Sequence, residues 1–331
     1  DHSFRIPRPD LTAEIGSPNA CNGCHADQSS ARAAAEIEKW TGPDARPGPH
    51  VGNVIAAGRQ GPANEALVRA AMDEIFPAIG RATALTLLVP PYGDAETRAI
   101  ADALDDPDPL MRTGALRALQ LAAAETRLNM GTNTLADPVL SVRLAAARVY
   151  ADLRDLLPAA EARAFGQAAE EYRAANTMLA NTPEALATLG NFELTMGDAN
   201  LAVGYFEKAL QLEPGNAFLR HSMGLVLVRA GQRDEALIQL REAYELEPSN
   251  PRYVYVYGVA LNSLGLNDEA LTLLQDARQQ FPEDFDIGWA VATMLRDAGD
   301  YEKARSVAEE LDEQFPGDAN ISALRESLTQ N

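Results

Sequence analysis

From Pro183 onward a single spacing constrains what the chain can become. Gly190, Gly224 and Gly258 stand 34 residues apart with Ala292 in the fourth slot; Ala202, Ala236, Ala270 and Ala304 keep the same step, as do Pro214, Pro248, Pro282 and Pro316. Each unit reads as two antiparallel helices, with a small residue where they cross and a proline closing the second helix. Gly197, Gly231, Gly265 and Gly299 mark the turns between the two helices. A unit of this length cannot bury its own apolar face. Only stacking against neighbours completes a core, which excludes a conventional globular sandwich or barrel.

These features resemble the tetratricopeptide repeat (TPR), with four full repeats over 183–318. A final helix, "NISALRESLTQ", has the polar side expected of a solenoid cap, and "AFGQAAEEYRAANTML", through Ala168, Tyr172 and Ala175, reads as the second helix of a preceding half repeat. An earlier and looser period appears upstream. "DDPDPLMRTGALRAL" and "LADPVLSVRLAAARVY" align at an offset of 31, pairing Asp106 with Asp137, Pro107 with Pro138, Arg112 with Arg143 and Ala115 with Ala146, and Arg81 extends the series. The Asp-Pro pairs are expected to cap and open the helices, while the alanines permit close helix approach. These lines resemble degenerate HEAT-like repeats. The expected fold is mainly α: a loop-rich segment at 1–61, HEAT-like helical repeats at 62–157, and a TPR solenoid at 158–331.

The first segment holds the chemistry. "SPNACNGCHADQ" contains both cysteines of the chain, Cys21 and Cys24, and His25 follows the second directly. The helix "SSARAAAEIEKW", with Ser29 as its expected N-cap, is the one clear regular element among turns rich in Pro and Gly. Four readings apply to the two thiols. A disulfide across a two-residue loop is strained and leaves His25 unexplained. A thioredoxin-like dithiol needs a βαβ context that is missing here. A structural zinc site would add His2 or His50 to the three, but adjacent Cys and His ligands on one turn are unusual for zinc. Covalent haem c accounts for all three: two thiols on one helical turn reach the two vinyl groups of one porphyrin, and the next residue projects its imidazole toward the iron. On that reading Cys21 and Cys24 form thioethers and His25 is the proximal ligand. His50 is the favoured sixth ligand, with His2 as alternative or as ligand of a neighbouring haem; the seven methionines sit in helical patterns typical of cores.

"DHSFRIPRPDL", "GSPNACNGCHADQ", "EKWTGP" and "PHVGNVIAAGRQG", together with the two repeat types after them, resemble the C-terminal part of bacterial multihaem c-type cytochromes. In that family further haem motifs precede the Asp-His-Ser-x-Arg stretch; here only the last is present. The resemblance therefore implies one haem in this chain, with others in a missing portion or on a second chain. The chain starts at Asp1 without a Met, as a processed protein or a piece of a longer one would.

Net charge is −20, from 28 Lys and Arg against 48 Asp and Glu, which disfavours nucleic acid because a phosphate-binding surface needs a cationic stripe. Residues 183–331 carry 25 acidic and 11 basic residues, so the charge lies mostly in the repeats. No run of about 18 apolar residues offers a membrane span. The fifth residue of each first helix, Ala187, His221, Tyr255 and Trp289, is expected to line the concave TPR groove, and His221, Tyr255 and Trp289 form a candidate partner face. A partner with apolar anchors and basic flanks would suit it. His221 is otherwise expected as a surface or groove residue, not an iron ligand. No Ser-His-Asp arrangement, phosphate loop or dinucleotide fingerprint is present.

The expected function is electron transfer by a periplasmic or extracellular c-type cytochrome, docked through its repeat tail to a redox partner, to another haem-bearing chain or to its own copy. Two alternatives stand beside it: part of a multihaem oxidoreductase with nitrite- or hydroxylamine-type chemistry whose catalytic haem lies elsewhere, and a TPR scaffold with a structural haem.

Overall fold

The computed structural model describes residues 7–42, 50–61 and 63–329, and among these the regular structure is helical, with no strand. Packing separates two compact units, Asp1–Tyr172 and Arg173–Asn331. Among the described residues no helix is long and apolar enough to cross a membrane.

The first unit opens with four helices, α1 (Asp10–Ile15), α2 (Cys21–Cys24), α3 (Ser30–Thr41) and α4 (Val51–Gln60). Ser29 caps α3 as expected, its Oγ accepting the Arg32 N–H at 3.2 Å. Little core forms here: Pro9, Leu11 and Ala34 are the buried residues among those described up to residue 61. The segment leans on its neighbours instead, α4 packing on α1 and on α5 (Asn64–Met72) and α6 (Ala78–Thr86). Next come α7 (Asp94–Leu104), α8 (Pro109–Leu119), α9 (Ala124–Asn129) and α10 (Leu140–Tyr150), with 3₁₀ turns at Thr132–Ala136 and Ala151–Leu156. Leu85, Ile100, Met111, Leu116 and Tyr150 fill their core.

The 31-residue period proves to be an ion-pair ladder rather than a set of caps. Asp108, not Asp106, caps α8, accepting from the Leu110 N–H at 2.8 Å, and the N-cap position of α10 is Val139, which has no side-chain acceptor. Asp106 and Asp137 lie two residues earlier and each close a turn, their Oδ1 atoms accepting from Asp108 and Val139 N–H at 2.8 Å. Their outer role is to receive the arginine one repeat back. Arg112 donates from Nε and Nη2 to Asp137 at 2.8 and 3.0 Å, while its Nη1 holds the Asp106 carbonyl at 2.8 Å. Arg143 repeats this pattern on Glu171 at 2.7 and 3.1 Å and on the Asp137 carbonyl at 2.7 Å, and Arg81 approaches Asp106 at 3.6 Å. One side chain thus ties its own loop and the next repeat together, which is why Asp and Arg recur with one period.

Helix α11 (Ala159–Thr177) buries Phe165, Ala168, Ala169 and Tyr172. The second unit then stacks four hairpins: α12 (Pro183–Thr195) with α13 (Ala199–Leu212), α14 (Ala217–Arg229) with α15 (Arg233–Leu246), α16 (Pro251–Ser263) with α17 (Asn267–Gln280), and α18 (Phe285–Asp297) with α19 (Tyr301–Gln314). Helix α20 (Ala319–Thr329) closes the stack on Ile321, Leu324 and Leu328. Turn glycines 197, 231, 265 and 299 have φ between 78 and 86°, the left-handed region open to glycine at no steric cost. A methyl on Gly224 or Gly258 would lie 2.6 Å from Leu240 or Leu274, so these helices touch backbone to side chain. The fourth repeat reaches the same closeness one turn away, where a methyl on Gly288 would lie 2.7 Å from Leu311 and Ala292 and Ala308 are both fully buried.

The same 34-residue step also places a helix cap, a role that the glycine, alanine and proline spacings do not reveal. Thr182, Asn216, Asn250, Asp284 and Asp318 each accept a backbone N–H from the first turn of the adjoining helix, at 3.0–3.3 Å. Such caps stabilise a helix by about 1 kcal/mol apiece. Glu193, with its side chain only 2% exposed, receives Arg173 at 2.6 and 2.9 Å, and the same guanidinium sits 5.4 Å above the Phe192 ring.

Candidate functional site

Helix α2 is a single turn, too short to hold itself. Asparagines brace it. Asn19 Oδ1 accepts the Asn22 N–H at 3.1 Å, and its Nδ2 donates to Thr12 Oγ1 at 2.7 Å and to Asn22 Oδ1 at 2.8 Å. Asn22 Nδ2 then donates to the Gln28 carbonyl at 2.7 Å, and the His25 N–H closes on the Cys21 carbonyl at 2.8 Å. The residues between and before the cysteines are therefore positioning residues, which the Cys-x-x-Cys-His pattern alone does not reveal.

The brace turns Cys21, Cys24 and His25 onto one wall of a cavity of about 610 Å³. Helix α3 adds Ala33, Ile37 and Trp40 to the same lining. The volume lies within the ~300–1,000 Å³ of small-molecule and cofactor sites, and the wall is mostly apolar as such sites are. Both thiols are free, Cys21 half-buried and Cys24 exposed, and His25 is exposed. Trp40 is 76% exposed at the cavity's side, a large apolar surface that no part of the described chain covers. A methyl on Gly23 would meet nothing within 4 Å, so the turn offers an open backbone face.

Among the described residues no three His, Cys, Asp or Glu side chains gather as metal ligands. A four-ligand zinc site requires its thiolates and imidazole to converge on one point. Haem c does not: its cysteines bond to carbon at the ring edge and a single imidazole meets the metal. Two thiols and one imidazole lining one mostly apolar cavity are the residue set that haem c requires.

The described sixth-ligand candidates are not among the residues lining this cavity. His50 is the N-cap of α4, where its Nδ1 accepts the Gly52 N–H at 3.0 Å, and it does not line the cavity. A neutral imidazole accepting at Nδ1 carries its proton on Nε2, the atom that would face a metal. His2 lies outside the described residues. Met72 ends α5 exposed, not in a core, and does not line the cavity either.

In the repeats the proposed aromatic face divides in two. Ala187 and His221 are buried, whereas Tyr255 and Trp289 are half-buried. Tyr255 packs on the core of the last repeat, and Trp289 stacks on Phe285 at 6.0 Å, which in turn meets Phe315 edge-on at 5.2 Å. Phe218, one helical turn before His221, is exposed. His221, expected as a surface or groove residue, is 7% exposed, its ring lies 4.8 Å from that of Tyr253, and its Nδ1 is buried without a hydrogen-bond partner. Burial, and then the charge of Arg252, push its pKa below the ordinary 6.5. A histidine so lowered binds its proton more readily in the unfolded chain, so its contribution to stability is complete above pH 6.5 and is lost as pH falls below it. His221→Phe, which keeps the ring contact and removes the titration, is expected to lose less stability than the parent when the urea midpoint is moved from pH 7.5 to about 5.5. Equal losses in the two proteins would show that His221 does not titrate in this way.

The chain matches the tetratricopeptide repeat family over residues 142–312. No curated protein matches it significantly. Among solved structures it is similar to YrrB, described as a TPR protein with an unusual peptide-binding site, at 23% identity over 44% of this chain and 75% of that one, with a TM-score of 0.38. It is similar also to MamA at 17% identity, covering 48% of this chain and 95% of that one with a TM-score of 0.41. MamA from Desulfovibrio magneticus RS-1 aligns at 21% identity over 52% and 97%, again with a TM-score of 0.41.

Proposed function

The chain belongs to the tetratricopeptide-repeat family, and we propose that its repeats dock a c-type cytochrome segment to a redox partner. Cys21 and Cys24 would each add their S–H across one vinyl group, and His25 would ligate the iron. The haem, when bound, supplies a one-electron iron couple. The chain's own residues do the rest: Asn19 and Asn22 fix the turn that carries the thiols, and Ala33, Ile37 and Trp40 present the apolar wall. For His50 to take the sixth position it must release the α4 cap, since Nδ1 is spent on Gly52. His2 or a side chain of a partner is the alternative. Covalent haem attachment takes place outside the cytoplasm, so this reading carries with it a periplasmic or extracellular location.

The single observation carrying this reading is the shared apolar cavity of two free thiols and one imidazole. Docking in TPR proteins falls to the repeat surface, and the half-buried Tyr255 and Trp289, with exposed Phe218, are aromatic groups that could serve it here.

Trp40 makes the reading testable by emission, because a haem filling the cavity would lie against its ring and take up its excitation. Trp289→Phe leaves Trp40 as the single tryptophan. Its fluorescence is expected to be several-fold weaker in the haem-loaded chain than in the same chain carrying Cys21→Ser and Cys24→Ser. Equal emission from both would overturn the assignment of haem to this cavity.

A further inference from the structure

Two charged side chains, Arg32 and Glu36, line the cavity beside the thiols and His25, and the structure treats them differently. Glu36 is already engaged: Lys39 Nζ donates to its Oε1 at 2.6 Å, and that hydrogen bond draws the Glu36 carboxyl below the ordinary carboxylate range. Arg32, one turn earlier on α3, has its backbone N–H held by Ser29, but its guanidinium forms no hydrogen bond or ion pair among the described residues. Its charge acts on Glu36 from one turn away without forming an ion pair, so the guanidinium donors stay open to solvent beside a mostly apolar wall. A ligand bearing carboxylates would find there the charge that offsets its desolvation. A guanidinium offers a planar pair of donors matched to a carboxylate, with hydrogen bonds roughly twice as strong as neutral ones.

We propose that Arg32 pairs with a carboxylate of the group filling this cavity and, resting on the haem reading above, with a propionate of haem c. The pair does two things: it fixes which edge of the macrocycle faces α3, and it keeps a positive charge near the iron. Taking up one electron lowers the positive charge of the iron centre by one, so a nearby cation favours the reduced form. Arg32 thereby raises the midpoint potential of the site.

The test is a spectroelectrochemical titration of the haem-loaded chain, its Arg32→Gln variant and its Arg32→Lys variant at pH 7. Arg32→Gln is expected to shift the midpoint to lower potential, and Arg32→Lys, which keeps the charge but not the fork, to stay close to the parent. An unmoved midpoint in Arg32→Gln overturns the pairing. So does a shift in Arg32→Lys as large as in Arg32→Gln, which would trace the effect to lost packing instead of lost charge. Covalent haem is counted first on the denatured chain: its absence overturns the cytochrome reading and this inference with it, whereas its presence with an unmoved midpoint overturns the Arg32 assignment alone.

Discussion

Replacing Cys21 and Cys24 together with serine is expected to abolish all covalent colour. In the parent, acidic acetone precipitates the polypeptide with its haem absorbance attached; in the double variant the pellet is colourless. The argument is chemical and geometric. A serine hydroxyl has nearly the shape of a thiol and keeps the α2 turn, which rests on the Asn19 and Asn22 amides and on backbone bonds and not on sulfur. What disappears is the nucleophile, since a hydroxyl does not add to a vinyl group under conditions in which a thiol does. Each single variant keeps one attachment point and is expected to retain haem through one thioether, with a displaced visible band. Complete extraction of colour from the parent, or stoichiometric zinc by metal analysis, would refute the thioether assignment.

Arg112→Ala is expected to destabilise the first unit by about 3–5 kcal/mol, the cost of removing one partner from a buried ion pair. The Asp137 side chain is 8% exposed, and Arg112 supplies two of the three donors that face it and the charge that balances it, the third donor being the Val139 N–H. Truncation leaves that carboxylate buried without its cation, held only by the Val139 N–H, and also frees the Asp106 and Pro107 carbonyls that Nη1 holds at 2.8 and 3.1 Å. An exposed pair is a useful contrast. Glu65→Ala, which breaks a fully solvated ion pair with Arg69, should move stability by no more than about 1 kcal/mol. Urea unfolding with an unchanged slope is the measurement, and the Arg112→Ala/Asp137→Ala double variant should cost less than the two single changes summed, because the second removes the charge that the first leaves buried. A loss below about 1 kcal/mol for Arg112→Ala would show that the ladder is periodic without being structural.

Much of the repeat architecture was legible because its positions impose demands that few residue types meet. A left-handed turn favours glycine, so 197, 231, 265 and 299 announce themselves; a helix pair in contact at a side chain's tip excludes a Cβ, so Gly224 and Gly258 do too. The caps at 182, 216, 250, 284 and 318 keep the same step but are harder to see, because Thr, Asn and Asp share the position, which hides a single role behind three letters. The cysteines and His25 were legible as a motif, for reach along one turn is a local matter.

The remaining features depend on neighbours distant in sequence. Spacing showed that Asp106, Asp137 and their arginines recur, but a carboxylate before a helix can cap it or receive a cation from the next repeat, and only the stacking of α8 on α10 selects the second. His50 has a spacing suited to folding over a porphyrin, yet α4 packs against α1 and α6 and spends its Nδ1 as a cap. His221 occupies the same register as the half-buried Tyr255 and Trp289, but Tyr253 of the following repeat covers it, and a buried imidazole answers to that neighbour and not to its own helix. The sequence by itself determined which backbone shapes are possible, since φ, helix termini and close approach are constraints on one residue at a time. Tertiary structure alone decided which polar side chains are spent inside the protein and which remain for a ligand, because desolvation and hydrogen-bond pairing are properties of two surfaces brought together.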